Sequence, residues 1–428
     1  MRHSLSRRRF LQTSAGSLAL PLVADQLLAD EPKKSPSEKI NLGFIGVGMM
    51  GRGHLGGFLG MNDVQVVAIC DVHKERREDA IGRVNKKYSD GKKGEAKVCA
   101  DYTDFRKLLE HKDLDAVVIA TPDHWHMIPC ILAARARKDI YCEKPLTHNI
   151  AEGRRIVQEV EKSKIVFQTG SQQRSEFNNH FRKAVELVRN GYIGKVKTIR
   201  IGVGGPNKPC DLPVQPTPEG TDWDTWLGPA PERGYSDVLC PKGIHNHFPA
   251  WRNYREYAGG GLADMGAHHF DIAQWALDMD GSGPVEIIPP EDSKAQSGLK
   301  FVYANGVEMI HGGNTDCEFI GEKGTIRAGR GYLTSTPAEI AKATIGEKEF
   351  HVYASNNHRR NWVECIRSRK PTICTAEIGH RSATICHLGN IGYQLRKKLK
   401  WDPAKEVFVD DKEANALTTR EPREKWKI

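Results

Sequence analysis

Residues 40–70 constrain the fold more than any other stretch of the 428-residue chain. The apolar run Ile40-Asn41-Leu42-Gly43-Phe44-Ile45 leads directly into Gly46-Val47-Gly48-Met49-Met50-Gly51, then a helical stretch to about Gly60, then a second apolar run from Val64 to Cys70. Strand, glycine turn, helix and strand in that order form the opening unit of a doubly wound parallel sheet. In such a turn Gly46 permits the bend, Gly48 lets the backbone approach a pyrophosphate, and Gly51 lets the helix pack close to the strand with its N-terminus facing the phosphates. Asp71 closes the second strand, twenty residues after Gly51. A carboxylate there accepts hydrogen bonds from a ribose diol and repels the extra phosphate of NADP. The expected cofactor is therefore NAD, with NADP as second candidate because Lys74, Arg76 and Arg77 soften the preference.

The alternation continues with strands predicted at 116–120 and 139–142, helices at 127–137 and 151–162, and a strand at 165–169. The expected class is α/β: an N-terminal Rossmann domain over 39–170, then an α+β substrate domain over 171–428 with a large, mainly antiparallel sheet. Its pattern predicts helices at 179–189, 357–369 and 381–396, and strands at 196–203, 285–288, 300–303, 307–310, 325–328 and 349–353. A Pro/Gly-rich loop over 204–249 carries Trp223 and Trp226, and loops of that length inside a folded domain are usually functional.

The net charge of +9 comes from scattered lysines and arginines, and no long basic face with interleaved aromatics points to nucleic acid. Ten cysteines without a Cys-x-x-Cys pair indicate neither a disulfide framework nor a zinc knuckle. Residues 1–30 resemble a twin-arginine export signal. They carry Ser6-Arg7-Arg8-Arg9-Phe10-Leu11 and an apolar run through Leu18, Leu20, Leu22 and Val23. That run is shorter than the roughly 20 apolar residues of a membrane span. A polar linker over 31–38 follows. The expected location is periplasmic, with no membrane partner beyond the export machinery.

Thr121-Pro122-Asp123-His124-Trp125-His126 and Glu143-Lys144-Pro145 fall at the carboxyl ends of the third and fourth predicted strands, where an open parallel sheet places its ligand. Thr121, Pro122, His126, Glu143 and Lys144 are thus expected at the cofactor together with Gly46, Val47, Gly48, Met49, Met50, Gly51 and Asp71. With the glycine turn, these segments resemble the Gfo/Idh/MocA oxidoreductase family, whose hallmark is Glu-Lys-Pro after the fourth strand of such a domain. The resemblance extends to Gly259-Gly260-Gly261-Leu262-Ala263-Asp264-Met265-Gly266-Ala267-His268-His269-Phe270-Asp271. The ending, with His358, Asn361, Gly379-His380-Arg381 and His387-Leu388-Gly389-Asn390, resembles the exported branch common in planctomycete-type bacteria.

The resemblance implies an NAD(P)-dependent oxidoreductase acting on a secondary hydroxyl of a sugar, glycoside or cyclitol, with Lys144, Asp264 and His268 catalytic. It also implies self-association and, for an exported enzyme, a tightly bound cofactor recycled internally. The chemistry suits those residue types. Oxidising an alcohol needs a proton acceptor, and Asp264 and His268 stand one helical turn apart, so the carboxylate can orient the imidazole. Lys144 can stabilise alkoxide character by hydrogen bonding. His269 points about 100° away and ranks second as base; Asp271 is read as pairing within its helix. His245 and His247 form a chelating pair without a third ligand at recognisable spacing, so no metal is expected. Trp226, His247 and His269 are candidate substrate contacts, and Trp223, Trp226 and Trp251 suit sugar-ring faces or core packing. The alternatives are a redox-assisted glycoside hydrolase or lyase and a sugar-binding protein without turnover.

Overall fold

The computed structural model describes residues 39–89, 99–314 and 316–428; the expected export signal and linker lie outside the described residues. The first part of the described chain forms β1 (Ile40–Ile45), β2 (Val64–Cys70), β3 (Ala100–Tyr102), β4 (Ala116–Ile119), β5 (Asp139–Cys142) and β6 (Phe167–Thr169), of which β1, β2, β4 and β5 are mostly apolar. They join in one parallel sheet of order β3-β2-β1-β4-β5-β6. All four residues of β4 are buried, because helices cover both faces of the sheet. These connecting helices are α1 (Met49–Leu59), α2 (Lys74–Tyr88), α3 (Phe105–Leu109), α4 (Met127–Arg135) and α5 (Ile150–Ser163). The strand order reverses between β1 and β4, and such a reversal opens a crevice at the strand ends.

The remaining strands and α-helices are α6 (His180–Arg189), β7 (Val196–Ile201), α7 (Trp223–Leu227), α8 (Gly260–Asp264), α9 (Gly266–Ala276), β8 (Glu286–Ile288), β9 (Lys300–Val302), β10 (Glu308–His311), β11 (Cys317–Gly321), β12 (Thr325–Gly329), β13 (Tyr332–Thr336), α10 (Glu339–Lys342), α11 (His358–Ser368), α12 (Ala376–Leu395), β14 (Leu399–Asp402), β15 (Val407–Phe408) and α13 (Lys412–Ala416). Their nine-stranded sheet runs β13-β12-β11-β7-β10-β9-β8-β14-β15, antiparallel except where β7 pairs with β10. One face packs on α6, α9 and α12 through Phe181, Phe270, Phe301, Phe319 and Leu388. The other carries cross-strand ion pairs, with Glu318 held by Arg200 (3.1 Å) and Arg327 (2.7 Å). Two later pieces return to the first sheet: Trp362 of α11 packs against Phe58 and Tyr141, and Trp426 packs against Trp125.

The strand expected at 349–353 does not form. The Phe350 N–H donates to Asn190 Oδ1 (2.9 Å) and the Val352 N–H to Glu186 Oε1 (3.2 Å), so side chains of α6 and of its C-terminal cap satisfy backbone groups that a neighbouring strand would otherwise take. The 204–249 loop instead builds a small core of its own from Trp223, Trp226, Tyr235, Leu239 and, just beyond it, Trp251 and Tyr257. All ten cysteines are free, and nine are buried.

Candidate active site

The glycine turn lies at the reversal point. Gly46 has φ +86°, and a Cβ there would stand 2.9 Å from the Ala120 backbone; a Cβ on Gly51 would stand 2.2 Å from the Gly46 carbonyl. Side chains at either position would push α1 off the sheet. Gly48 faces open space instead, with nothing within 4 Å of an added Cβ. The first turn of α1 has neither a side-chain cap nor an acidic residue, leaving its N–H groups for an anion. Asp71 is braced within this turn, its carboxylate accepting from the N–H groups of Val47 (2.8 Å) and His73 (2.9 Å).

A cleft of about 1100 Å³ runs from this turn to the end of α8. Of the residues expected at a cofactor, Gly46, Gly48, Met49, Met50, Asp71, Thr121, Pro122, Glu143 and Lys144 line it; Val47, Gly51 and His126 do not. Val47 is fully buried and its N–H is committed to Asp71. Both ring nitrogens of His126 face backbone carbonyls, those of Pro145 (2.8 Å) and Thr121 (3.0 Å), so the ring ties the turns carrying Thr121 and Lys144 together. Thr121 Oγ1 is buried with no protein partner, as suits a donor meant for a ligand. Glu143 is held by His54 Nε2 and Gln172 Nε2, each at 2.7 Å. Burial pushes its carboxyl up, but hydrogen bonds and charge from His54, with Lys144 and Gln172, bring it below its ordinary value.

At the far end of the cleft, Lys144 Nζ donates to Asp264 Oδ1 and to the Asp264 carbonyl, both at 2.6 Å. Arg252 lies 3.4 Å from the same carboxylate. Burial raises the Asp264 pKa, and these two cations more than offset it, so the carboxyl sits below its usual range. The glycine run before Asp264 allows this placement: Gly261 packs on the backbone of Gly204, where a Cβ would meet Gly204 Cα at 2.8 Å. Trp226, Trp251, Arg252 and Asp123 complete this end.

Asp264 ends α8 and His268 lies in α9, with Met265 between the two helices, and the pair shares no hydrogen bond. His268 does not line the cleft. Its Nδ1 is buried without a partner, and burial, then the charges of Lys144 and Arg330, hold the imidazole well below its ordinary pKa. His269 is buried against Phe181, also outside the cleft, with a pKa near 3 from burial and Arg330. Asp271 pairs with Arg174 (2.8 Å) and Ser382 (2.8 Å), not within its own helix. His245 lines the cleft while His247 does not; Nδ1 of His245 bonds the His247 carbonyl at 2.8 Å. Among the described residues no three His, Cys, Asp or Glu side chains converge on a metal position.

Three contributors escaped sequence reasoning: Asp123, Arg252 and a strap over residues 241–249. Arg76 donates to the carbonyls of Gly243 (3.1 Å) and Pro241, and Arg52 to the carbonyl of His245 and to Asn246 Oδ1 (3.3 Å). The Gly243 N–H donates to His73 Nε2 at 3.3 Å. The strap therefore crosses the Asp71 end of the cleft and is fastened to α1 and α2. Only Asp123 had a local signal, its position in the Thr-Pro-Asp segment after β4.

Comparison with known proteins matches residues 40–171 to the model of an oxidoreductase family's NAD-binding Rossmann fold and residues 206–428 to that of the same family's C-terminal alpha/beta domain. A myo-inositol 2-dehydrogenase of Thermotoga maritima is 24% identical over 384 residues, covering 84% of this chain and 96% of that protein. Among solved structures, an aldose-aldose oxidoreductase from Caulobacter crescentus complexed with glycerol superposes with TM-score 0.57 at 15% identity, covering 85% of this chain and all of that one. A WlbA dehydrogenase from Bordetella pertussis in complex with NADH and UDP-GlcNAcA gives TM-score 0.59 at 18% identity, covering 85% and 99%.

Proposed function

The chain belongs to the Gfo/Idh/MocA oxidoreductase family and is an NAD-binding oxidoreductase, and on that premise we propose that it oxidises a secondary hydroxyl of a sugar, glycoside or cyclitol using an NAD that stays bound through successive turnovers. The observation that carries this reading is the Lys144–Asp264 pair at 2.6 Å in the same cleft as the glycine turn and Asp71. NAD, when bound, supplies the hydride acceptor. The first turn of α1 holds its pyrophosphate, Asp71 its ribose diol, and Thr121 Oγ1 offers a further hydrogen bond. Lys144 Nζ, oriented by Asp264, donates to the substrate oxygen and stabilises alkoxide character as the bond to carbon changes order. His268 contributes a neutral imidazole beside Lys144, and Trp226 and Trp251 offer apolar faces to a ring.

The strap supports retention of the cofactor, because two arginines and a histidine must release it before the Asp71 end opens. Retention also fits the proposed twin-arginine export, since free NAD is scarce outside the cytoplasm. A single bound cofactor then requires a second carbonyl compound to re-oxidise it, and the name of the C. crescentus protein describes such an exchange. The test is to incubate the protein with pairs of sugars and cyclitols without added nucleotide and analyse products by mass spectrometry. Oxidation of one partner matched by reduction of the other is expected. Continuous release of free NADH with added NAD would overturn retention, and glycoside cleavage without net reduction would move the chain to the redox-assisted glycosidase alternative. Export is tested by fractionating cells that express the Arg7→Lys, Arg8→Lys double variant, which should stay cytoplasmic. Self-association through the open face of the nine-stranded sheet is tested by sedimentation.

A further inference from the structure

Alcohol oxidation releases a proton along with the hydride, and the groups first assigned to the cleft are poorly suited to keep it. Asp264 is gripped by Lys144 and Arg252 and sits below the usual carboxylate range. Glu143 is tied to His54 and Gln172. His268 has no carboxylate partner and lies well below its ordinary value. Asp123 differs from all of these. It lines the cleft with Lys144, Arg252 and Asp264, is only 4% exposed, and among the described residues no cation pairs with its carboxyl.

We propose that Asp123 is the proton acceptor of this site, taking the substrate's hydroxyl proton during oxidation and holding it in the cleft until a carbonyl compound is reduced. This rests on the hydride-transfer reading above. The balance closes: the O–H bond breaks with its electron pair left on oxygen, the C–O double bond forms as the C–H pair leaves as hydride to the oxidised nicotinamide, and the proton bonds to an Asp123 oxygen. One alcohol, one cationic nicotinamide and one carboxylate become one carbonyl compound, one neutral nicotinamide and one carboxylic acid.

The surroundings of Asp123 suit storage. The charged groups facing it are Lys144 on the turn after β5, Arg252 on the turn before α8, and Asp264 at the end of α8; the thiols of Cys142 on β5 and Cys386 on α12 are also near. Burial is the largest influence and pushes the carboxyl up; Lys144 and Arg252 oppose, Asp264 adds, and the result is a pKa of about 8. Such a group gives and takes a proton near neutral pH, as an acid–base catalyst must.

The experiment compares the wild-type protein with Asp123→Asn, a neutral replacement of nearly the same shape, each first stripped of its retained nucleotide, and uses readouts that need no substrate. Infrared difference spectra between about pH 6 and about pH 10 should show a buried protonated carboxyl in the wild type that disappears across a midpoint near 8 and is missing from the variant. Calorimetric titration in buffers of differing ionisation enthalpy should then show proton release on binding NAD, whose nicotinamide is cationic. Binding of NADH should release none, and the variant should release none with either. Absence of the infrared band, its persistence in the variant, or equal proton release by wild type and variant would overturn the proposal. Failure of NAD to bind at all would sink the hydride-transfer reading instead, a different result from binding without proton release, which sinks only the role of Asp123. Once a substrate pair is in hand, oxidation by the wild type should rise about tenfold per pH unit below the midpoint. In Asp123→Asn it should be pH-independent and roughly 10²- to 10⁴-fold slower.

Discussion

Replacing Asp71 with alanine removes the acceptor from two backbone N–H groups at once, those of Val47 (2.8 Å) and His73 (2.9 Å). An orphaned buried N–H costs roughly 1–3 kcal/mol. Because Asp71 borders the cleft, water can enter where the carboxylate stood, which places each loss near the lower bound and the sum at about 2 kcal/mol. The melting temperature of the nucleotide-free protein should fall by roughly 2–3 °C, given an unfolding entropy of about 2 cal/mol/K for each residue of the 39–428 unit. Loss of a charge-assisted bond to the ribose should in addition weaken NAD by about 1.5–3 kcal/mol, or roughly 10- to 150-fold. Asp71→Asn keeps one carbonyl acceptor, so its melting loss should be about half. Differential scanning fluorimetry without nucleotide and calorimetric titration with NAD separate the two effects. An Asp71→Ala protein that melts like the wild type refutes the bracing role, and one that binds NAD with unchanged affinity refutes the ribose contact.

Other expectations follow from the same geometry. Lys144→Met should lower oxidation by roughly 10²- to 10³-fold while leaving NAD affinity within a few-fold, checked by single-turnover kinetics and titration. His268→Ala should likewise remove most turnover with the cofactor still bound; wild-type rates would remove this histidine from the mechanism. Arg52→Ala combined with Arg76→Ala should speed NAD dissociation at least tenfold in a displacement assay, because charge-assisted bonds to the strap are lost. Asp123 also carries a pH signature: its folded pKa of about 8 lies above the unfolded value near 3.9, so the native state holds the proton longer. Stability attributable to this group is therefore full below about pH 4, falls as pH rises to about 8 and is flat above, a loss of at most about 6 kcal/mol. Urea melts at low and high pH should show Asp123→Asn gaining on the wild type by this pattern.

The Rossmann half was legible because β1, β2, β4 and β5 are continuous apolar runs and the glycine spacing has few other uses. β3 was missed: its three residues, Ala100-Asp101-Tyr102, present no apolar run. The second sheet was read less completely. β13 is an edge strand with the polar sequence Tyr-Leu-Thr-Ser-Thr, and β15 has only two residues, so neither shows alternation. The 349–353 segment alternates like a strand, yet Glu186 of α6 and Asn190 at its C-terminal cap, far away in sequence, capture its backbone. The active site divides in the same way. Lys144 and Asp264 stand in recognisable local motifs, whereas the grip of Arg252 on Asp264 and of Arg76 on the strap depends on loops meeting across the cleft, which local spacing does not encode. The helical spacing of Asp264 and His268 suggests a shared face; Met265, with helical φ and ψ, joins the two short helices that carry them.

The most direct test of the central claim, an oxidoreductase that retains its own NAD, is to denature the purified protein and identify and quantify the released nucleotide by mass spectrometry. The account predicts close to one equivalent of NAD and NADH together per chain, surviving extensive dialysis of the native protein. A preparation that releases no nucleotide and takes up no NAD when it is supplied would contradict it.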